Sequence, residues 1–409
     1  MTVPESASVR PKLAVFHNLP SGGGVNVAGG LLRELQSFFS ITVHCPFGSS
    51  SLAVPGCIPV KTWPFREGRR ISGLRKAAAP VSLPARLRAF DRLCLKIAEE
   101  INSTSDLVLV HNSMFVAAPP VLKYLTVPSV YFCYEFPRHL YEKDLIRRTR
   151  NVLAKFLLSP LRGMESRMDR ESAVSADVII TLSSWMQGRI ADIYGLDSSV
   201  VRPGVDTDFW IIEKNAVRKN MVLSIGALWP FKGHKMAIDV VSRVSPDRRP
   251  ALTVIADREY PGYGADLSRS ASLMGVDLIL RRDISNEELL QFYGTCKAVL
   301  CCGHNEPYGL IPLEAMACGI PVIAVREGGF IDNIDSGENG MLVNRDPVEM
   351  ASVLQNVLLN DDLRRKMTLK GREFVTGERS MKKAGNRLAE ILTDTFEKGD
   401  QIHKEPARQ

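Results

Sequence analysis

The chain has 409 residues, of which 45% are hydrophobic, 24% charged and 7% aromatic. This composition is typical of a globular protein and excludes a wholly disordered or collagen-like chain, and the length predicts two or three domains. No segment approaches the about 18 consecutive apolar residues that a membrane-spanning helix needs. The first ten residues also lack the basic start and apolar centre of a secretion signal, so we expect a cytoplasmic protein.

The net charge of +7 is unevenly distributed along the chain. Residues 1–205 contain 25 Lys and Arg against 16 Asp and Glu, whereas the remaining residues contain 27 against 29. The basic residues are densest in 61–96 and 138–170. Such a charge distribution attracts the phosphates of nucleic acid, of an anionic membrane or of a diphosphate-bearing substrate, and charge alone leaves these three alternatives open.

Short apolar segments alternate along the chain with longer segments of helical character. The predicted strands lie at 12–18, 41–47, 106–112, 128–134, 177–183, 221–228, 252–257, 298–302 and 321–325. Because these segments are apolar on both faces and helices separate them, they predict parallel sheets covered on both sides, which is an α/β fold.

Residues 200–210, with the sequence VVRPGVDTDFW, separate two groups of predicted strands. Their proline, glycine and aspartates are typical of an exposed linker. We therefore predict two doubly wound, Rossmann-like domains that face each other across a cleft. The first is predicted at 1–203 and the second at 204–377. Residues 378–409 are expected to form a helix that crosses back to the first domain and ends in a frayed tail.

Eight cysteines include no C-x-x-C pair and no grouping with histidine at zinc spacing. We expect reduced, mostly buried thiols and no metal site.

The most informative segment is CCGHNEPYGLIPLEAMACGIPVIAVREGG at 301–329. A buried strand is followed by a loop and by a short helix that begins near Ile311, with Pro312 in its first turn and Gly319 at its end. The amides of Gly309 and Leu310 then lie unpaired at a helix N-terminus, at the carboxyl end of a parallel sheet. This arrangement predicts an anion-binding site.

Two glutamates flank this predicted site. Glu306 precedes the helix, and Glu314 follows eight positions later, inside the predicted first turn. A carboxylate beside a phosphate site does not bind the phosphate, and its natural partners are hydroxyl groups. A diphosphate site with two carboxylates that accept from hydroxyls fits a sugar nucleotide. The alternative is that Glu314 only caps its own helix.

The segment EPYGLIPLEAMACGIPVIA resembles the E-x7-E signature of the retaining GT-B glycosyltransferases, in particular glycosyltransferase family 4. The resemblance extends to SADVIITLSSWMQGRIADIYG, to the 200–210 segment, to VLSIGALWPFKGHKMAIDVV and to ISNEELLQFYGTCKAVLCC. It covers about residues 12–395 and is strongest in the C-terminal half.

The resemblance implies donor-binding roles for matching residues. Glu314 would accept from the ribose hydroxyls, and Glu306 would contact hydroxyls of the donor sugar. The backbone amides of Tyr308, Gly309 and Leu310 would hold the distal phosphate.

The resemblance also implies roles outside the signature. Lys232 would neutralise the departing diphosphate, and the backbone near Ile284 would contact the base. His111 matches a histidine that faces the donor sugar from the opposite domain. The glycines Gly22, Gly23 and Gly24 would let the first loop approach the reaction centre.

Two departures from the family pattern affect these expectations. The family usually has an arginine where this chain has Ala227, so another cation should help Lys232 to balance the diphosphate, and the candidates are Arg202, His234 and Lys235. The segment VIADREYPG also lacks the usual G-x-G turn.

The implied reaction is transfer of a hexose from a nucleotide-diphosphate sugar with retention of configuration. Electrostatic stabilisation of the diphosphate would carry catalysis, so we expect no metal and no cofactor beyond the donor co-substrate.

The basic N-terminal half points to a glycan or lipid-linked acceptor of cell-envelope polysaccharide biosynthesis. Residues 145–163 combine apolar and basic side chains, as in a helix lying on an anionic membrane surface, although a core helix with a charged outer face explains the pattern equally well. Glu135 and Arg138 are expected on the acceptor side, in a loop after a strand. The predicted location is cytoplasmic, with peripheral association at the inner face of a membrane left open.

Three other functions are alternatives to glycosyl transfer. A nicotinamide-dependent dehydrogenase would need glycine where Val27 stands in the first glycine loop. A nucleic-acid-binding protein would need a recognition motif or an aromatic platform that the sequence lacks. A catalytically silent GT-B scaffold, which would bind a sugar nucleotide or a partner protein, stays open because of Ala227.

Overall fold

The computed structural model describes residues 10–52, 56–65, 75–142, 152–211 and 217–404. The side chains of 75–82, 152–160 and 400–404 lie outside this description. The described residues divide into two compact units. The first extends to Leu182 and includes Gln187–Val201 and the chain from Gly385 onward, and the second comprises Ser183–Met186 and Arg202–Ala384. The predicted domain boundaries at 203 and 377 stay predictions.

The first unit contains a sheet of seven parallel strands in the order β3-β2-β1-β4-β5-β6-β7. Its apolar central strands are buried, and β1 pairs Val15 with Val43 on one side and with Leu109 on the other. The strands are β1 (Lys12–Asn18), β2 (Ser40–Pro46), β3 (Val60–Trp63), β4 (Leu107–Ser113), β5 (Ser129–Cys133), β6 (Val178–Thr181) and β7 (Ser199–Val200).

Helices connect most of these strands, as is usual for parallel pairing. Helix α13 starts in the second unit and continues in the first. The helices, in chain order, are α1 (Gly23–Leu35), α2 (Arg75–Thr104), α3 (Arg138–Tyr141), α4 (Val152–Val174), α5 (Ser184–Tyr194) and, after those of the second unit, α13 (Met381–Lys404), with a 3-10 turn at Pro120–Tyr124.

The second unit contains six parallel strands in the order β10-β9-β8-β11-β12-β13. The strand order reverses between β8 and β11, which is where open α/β sheets bind ligands at their carboxyl ends. The strands are β8 (Met221–Ile225), β9 (Ala251–Ala256), β10 (Leu278–Arg282), β11 (Ala298–Cys301), β12 (Val322–Val325) and β13 (Met341–Val343).

The helices of the second unit pack an apolar core against this sheet. Its centre is formed by fully buried residues such as Ile238, Val254 and Leu354. The helices are α6 (His234–Ser242), α7 (Tyr263–Leu273), α8 (Asn286–Thr295), α9 (Leu310–Ala317), α10 (Phe330–Asn333), α11 (Pro347–Leu359) and α12 (Asp361–Glu378), with a 3-10 turn at Pro230–Lys232.

The structure confirms the predicted α/β class and all nine predicted strands, whose ends differ by a few residues. The prediction of an exposed linker at 200–210 is wrong, because Val201, Val205 and Trp210 are buried. A Cβ on Gly204 would lie 2.1 Å from the carbonyl oxygen of Arg379, so this segment packs closely against the chain that leads into α13. The eight cysteines are unpaired, and all but Cys57 are buried, as expected.

Candidate functional site

Helix α9 begins at Leu310 with its N-terminus uncapped by any side chain. Gly309 precedes it with φ 94°, and a Cβ there would lie 2.7 Å from the ring of Phe330, so this position requires glycine. Within the described part of the chain, no acceptor pairs with the amides of Gly309, Leu310 and Ile311. The predicted arrangement of free amides at the carboxyl end of the sheet is present.

The loop between β11 and α9 is held from the neighbouring β12 loop. The amide of Gly329 donates to the carbonyl of Glu306 at 2.7 Å, and a Cβ on Gly328 would lie 2.4 Å from that same oxygen. The guanidinium of Arg345 donates to the carbonyls of Cys302 and Gly303 at 3.0 and 2.9 Å. These contacts fix the backbone that carries Glu306.

Lys232 and Glu306, which the sequence separates by 74 positions, form an ion pair. The lysine Nζ lies 2.8 Å from both carboxylate oxygens. Lys232 ends the 3-10 turn after β8, and Gly233 follows with φ 77°. About a quarter of each side chain is exposed, 25% for Lys232 and 21% for Glu306, so a ligand can reach both. The two side chains therefore neutralise each other here, and an anion that draws Lys232 away would free Glu306 for hydroxyls.

Glu314 lies on α9 with only 9% of its surface exposed. The Tyr293 hydroxyl donates to its Oε2 at 3.0 Å. Burial raises the pKa of Glu314 from 4.5 to about 7, and the bond from Tyr293 opposes this rise. The expected first-turn position is wrong, because Glu314 is the fifth residue of a helix that begins at Leu310. The capping alternative also fails, since no capping bond from this side chain is present among the described contacts.

Position 227 carries no basic side chain, and three basic residues are candidates to replace its charge. Two of these three make other contacts. His234 Nε2 lies 3.1 and 3.2 Å from the carbonyls of Gly226 and Ala227, and burial lowers its pKa to about 4, so it is neutral at pH 7. Arg202 pairs with Asp332 at 2.8 Å. Of the three candidates, His234 therefore supplies no positive charge. Lys235 is exposed.

Two further residues with a predicted donor-site role lie in the second unit. Tyr308 is buried, and its hydroxyl donates to the carbonyl of Pro203, so its side chain has a structural role beside the predicted role of its amide. Ile284 is half-buried in the loop between β10 and α8, next to Asp283, whose φ is 51°. The predicted contact of Ile284 with the base stays a prediction.

His111 and the glycines Gly22, Gly23 and Gly24, which have predicted roles at the reaction centre, belong to the first unit. His111 lies fully buried within β4, its Nδ1 is 2.9 Å from the Tyr134 hydroxyl, and burial lowers its pKa to about 3. Gly23 and Gly24 form the first turn of α1, whereas Gly22 before them has φ 123°. The roles assigned to His111 and to these glycines stay predictions.

Glu135 and Arg138 form an ion pair after β5, and Arg138 also lies 3.7 Å from Glu142. The expectation of a loop here is wrong in part, since Arg138–Tyr141 is a short helix with Arg138 buried. Residues 145–151 of the proposed membrane helix lie outside the described residues, and α4 contains the rest. In the described part of the chain, no helix has the length and apolarity needed to cross a membrane.

Several residues of this site were not predicted from the sequence. Tyr293 carries no motif of its own, and its partner Glu314 lies on another helix. The pair Glu327 and Arg345, 2.6 Å apart, joins the β12 loop to the chain after β13. A possible signal was the E-G-G triplet after a buried strand, because paired glycines beside a carboxylate often mark close backbone approach.

Two parallel-sheet Rossmann-like units, together with the Lys232, Glu306 and Glu314 arrangement, define the class of GT-B glycosyltransferases. The family models agree with this class. Residues 21–209 match the model described as glycosyltransferase family 4, and residues 206–374 match that of glycosyl transferases group 1. The chain therefore contains a glycosyltransferase family 4 domain followed by a glycosyl transferases group 1 domain.

Named relatives and one solved structure illustrate the similarity. A D-inositol 3-phosphate glycosyltransferase of Corynebacterium jeikeium is 26% identical over 72% of this chain and 74% of that protein. A GDP-mannose-dependent alpha-(1-6)-phosphatidylinositol monomannoside mannosyltransferase of Mycolicibacterium smegmatis is 30% identical over 53% of this chain and 62% of that protein. The structure of the Anabaena protein HepE in complex with UDP and glucose is also similar. The match covers 94% of this chain and 100% of the HepE chain, with a TM-score of 0.70 and 16% identity. The chain spans about half the length of several curated relatives it matches.

Proposed function

We propose that the protein transfers a hexose from a nucleotide-diphosphate sugar to a hydroxyl of a glycan or lipid-linked acceptor, with retention of configuration. The observation that carries this proposal is the Lys232–Glu306 pair, which lies in the same unit as the uncapped start of α9 and the buried Glu314. It combines a cation, free amides for phosphate oxygens and two carboxylates for hydroxyls.

The chemistry follows from where charge develops. The bond between the anomeric carbon and the diphosphate oxygen breaks, the acceptor oxygen bonds to that carbon, and the acceptor proton passes to the diphosphate. Lys232 and the α9 amides stabilise the negative charge that grows on the leaving group, without a metal ion in this proposal. When the donor binds, its diphosphate draws Lys232 away from Glu306, whose carboxylate then accepts from hydroxyls of the donor sugar.

The acceptor class is proposed on two grounds. The Mycolicibacterium smegmatis relative is named for a phosphatidylinositol mannoside acceptor, and the first half of this chain is basic. A basic surface holds an acceptor with an anionic headgroup near the membrane. We therefore propose a cytoplasmic protein that associates peripherally with the inner face of a membrane.

The experiment incubates the protein with UDP-, GDP- and ADP-sugars and an acceptor extract, and it measures release of nucleoside diphosphate. One donor is expected to be consumed, and nuclear magnetic resonance of the product should show the anomeric configuration of the donor. An inverted product would contradict retention, and failure of every donor to react would contradict transfer.

A catalytically silent scaffold is a second candidate, favoured by one observation. Ala227 and the neutral His234 leave the loop after β8 without the cation that the family usually has there. In that case a sugar nucleotide would bind without being consumed in the same experiment.

A further inference from the structure

We infer that Tyr293 is a positioning residue, which orients the carboxylate of Glu314 toward ribose hydroxyls of the nucleotide. This inference rests on the proposed function and deepens it. The hydroxyl of Tyr293 donates to Oε2 of Glu314 at 3.0 Å, and the tyrosine is fully buried. In the described part of the chain, no cation pairs with Glu314, so this hydrogen bond is its only described polar contact.

Tyr293 is itself rigidly held. Nη1 of Arg218 donates to the carbonyls of Tyr293, Gly294 and Cys296 at 2.9, 3.0 and 3.2 Å, which fixes the end of α8. The ring of Trp210 packs edge-on against the ring of Tyr293, with centroids 5.6 Å apart and an interplanar angle of 87°. The phenol hydroxyl therefore has little freedom to follow a moving carboxylate.

Trp210 is anchored in turn. Arg372 on α12 donates from Nη1 to the carbonyls of Trp210 and of Ala317 at the end of α9, both at 2.7 Å. One guanidinium thus joins the residue that supports Tyr293 to the helix that carries Glu314. Arg372 therefore helps to fix the positions of Tyr293 and Glu314 relative to each other.

A fixed Oε2 has a geometric consequence. The terminal torsion of a glutamate is broad and nearly two-fold, so a free carboxylate samples many orientations. The hydrogen bond from Tyr293 selects one of them and leaves Oε1 to accept from a ligand. Because 9% of Glu314 remains exposed, a hydroxyl can approach it from outside.

The surroundings leave Glu314 as the group that titrates near neutral pH. Burial raises the pKa of Tyr293 and Cys301 well above their usual values and that of Cys318 to about 12, so all three stay neutral. The charged groups nearby are Arg372 on α12, which bonds to carbonyls, Arg218 before β8, and Glu306, which pairs with Lys232.

The test compares ribose and deoxyribose nucleotides at pH 8 by calorimetry. UDP, GDP and ADP are titrated into the parent, and the nucleotide that binds is then compared with its 2′-deoxy and 3′-deoxy forms. Tyr293→Phe keeps the ring against Trp210 and removes only the hydroxyl. It is expected to reduce the preference for ribose about tenfold, which is the effect of one hydrogen bond to a charged group.

The pH profile is a second measurement that a purely structural role would leave unchanged. The nucleotide that binds the parent identifies the nucleotide sugar to be used. Affinity for that nucleotide sugar is measured from pH 5.5 to 9 in the parent, Tyr293→Phe and Glu314→Gln. A carboxylate that loses a hydrogen-bond donor is more easily protonated. The pH midpoint of the affinity profile should therefore be higher in Tyr293→Phe than in the parent. Glu314→Gln should lose that titration.

The matched control is Tyr194→Phe in the first unit. Tyr194 also donates to a buried carboxylate, that of Asp169, at 2.7 Å, and it is assigned no part in binding. Tyr194→Phe should therefore have the same ribose preference and the same pH midpoint of affinity as the parent. If Tyr293→Phe also keeps the parent ribose preference and pH midpoint, the inference is overturned while the proposed function stands. If none of the three nucleotides binds the parent, both are overturned.

Discussion

The ionised form of Glu314 destabilises the folded state, because it is buried and no cation pairs with it among the described residues. Its pKa is about 7 in the folded state against 4.5 ordinarily. Between these two values the folded protein binds more protons than the unfolded chain, so this residue lowers the free energy of unfolding as pH rises through that range. A carboxylate kept at such a cost points to a binding role.

Glu314→Gln is therefore expected to change stability and binding in opposite directions. Since glutamine does not ionise, the variant should be more stable than the parent at pH 8 by about 1–3 kcal/mol. Its nucleotide-sugar affinity should be weaker by about 1–3 kcal/mol, because a ribose hydroxyl loses its charged acceptor. Urea unfolding at pH 5.5 and pH 8 measures the first effect, and a variant that is less stable than the parent at pH 8 would contradict it.

Lys232→Ala tests the phosphate role. The substitution removes the cation nearest to the expected leaving group, so turnover should fall by about two to three orders of magnitude. The melting temperature should change little, since the Lys232–Glu306 pair is partly exposed.

Lys366→Ala is the matched control, because Lys366 pairs with Glu338 elsewhere in the same unit. Turnover of Lys366→Ala should equal that of the parent. Similar turnover in Lys232→Ala and Lys366→Ala would remove the assigned role of Lys232.

The sequence predicted the identity of the site residues better than their contacts. The E-x7-E spacing singled out Glu306 and Glu314, and the resemblance of VLSIGALWPFKGHKMAIDVV singled out Lys232. That Lys232 and Glu306 pair, and that Tyr293 bonds to Glu314, depends on how separate loops meet at the end of a sheet. His234 looked like a cation by residue type, but its burial against two carbonyls makes it neutral.

At the scale of elements, the start of helix α9 is the most constrained part of the site. Gly309→Ala would place a Cβ 2.7 Å from the ring of Phe330 at a φ of 94°. We expect a loss of stability of about 1–3 kcal/mol and weaker donor binding. Gly337→Ala is the matched control, since Gly337 has φ 91° with no atom within 4 Å of the added Cβ.

Urea unfolding separates the two glycine variants. Gly337→Ala measures the strain of the backbone conformation alone, and Gly309→Ala adds the clash with Phe330. Equal losses of stability in both, with donor affinity unchanged, would show that α9 does not need this close packing.

The four strands that the sequence did not predict are the edges of the two sheets. These are β3 and β7 in the first sheet, and β10 and β13 in the second. An edge strand contacts one neighbour only and is often short or partly solvated, so it lacks the continuous apolar segment that marks a central strand. β7 has two residues and β13 three, and β3 is largely exposed. The fold class followed from the central strands alone.

At the scale of the whole molecule, the uneven charge predicts binding to an anionic surface. Vesicles of phosphatidylcholine and phosphatidylglycerol in equal parts should retain the protein at low salt and release it at about 0.5 M NaCl, where charges are strongly screened. Vesicles of phosphatidylcholine alone are the control. Equal sedimentation with both kinds of vesicle would contradict the proposed membrane association.

Calorimetric titration of the parent with UDP-, GDP- and ADP-sugars at pH 8 is the most direct test of the proposed donor site. One of these sugars should bind at a single site, and its affinity should fall in both Lys232→Ala and Glu314→Gln. Binding that is unchanged in both variants, or no binding by any of the three donors, would contradict the proposed donor site.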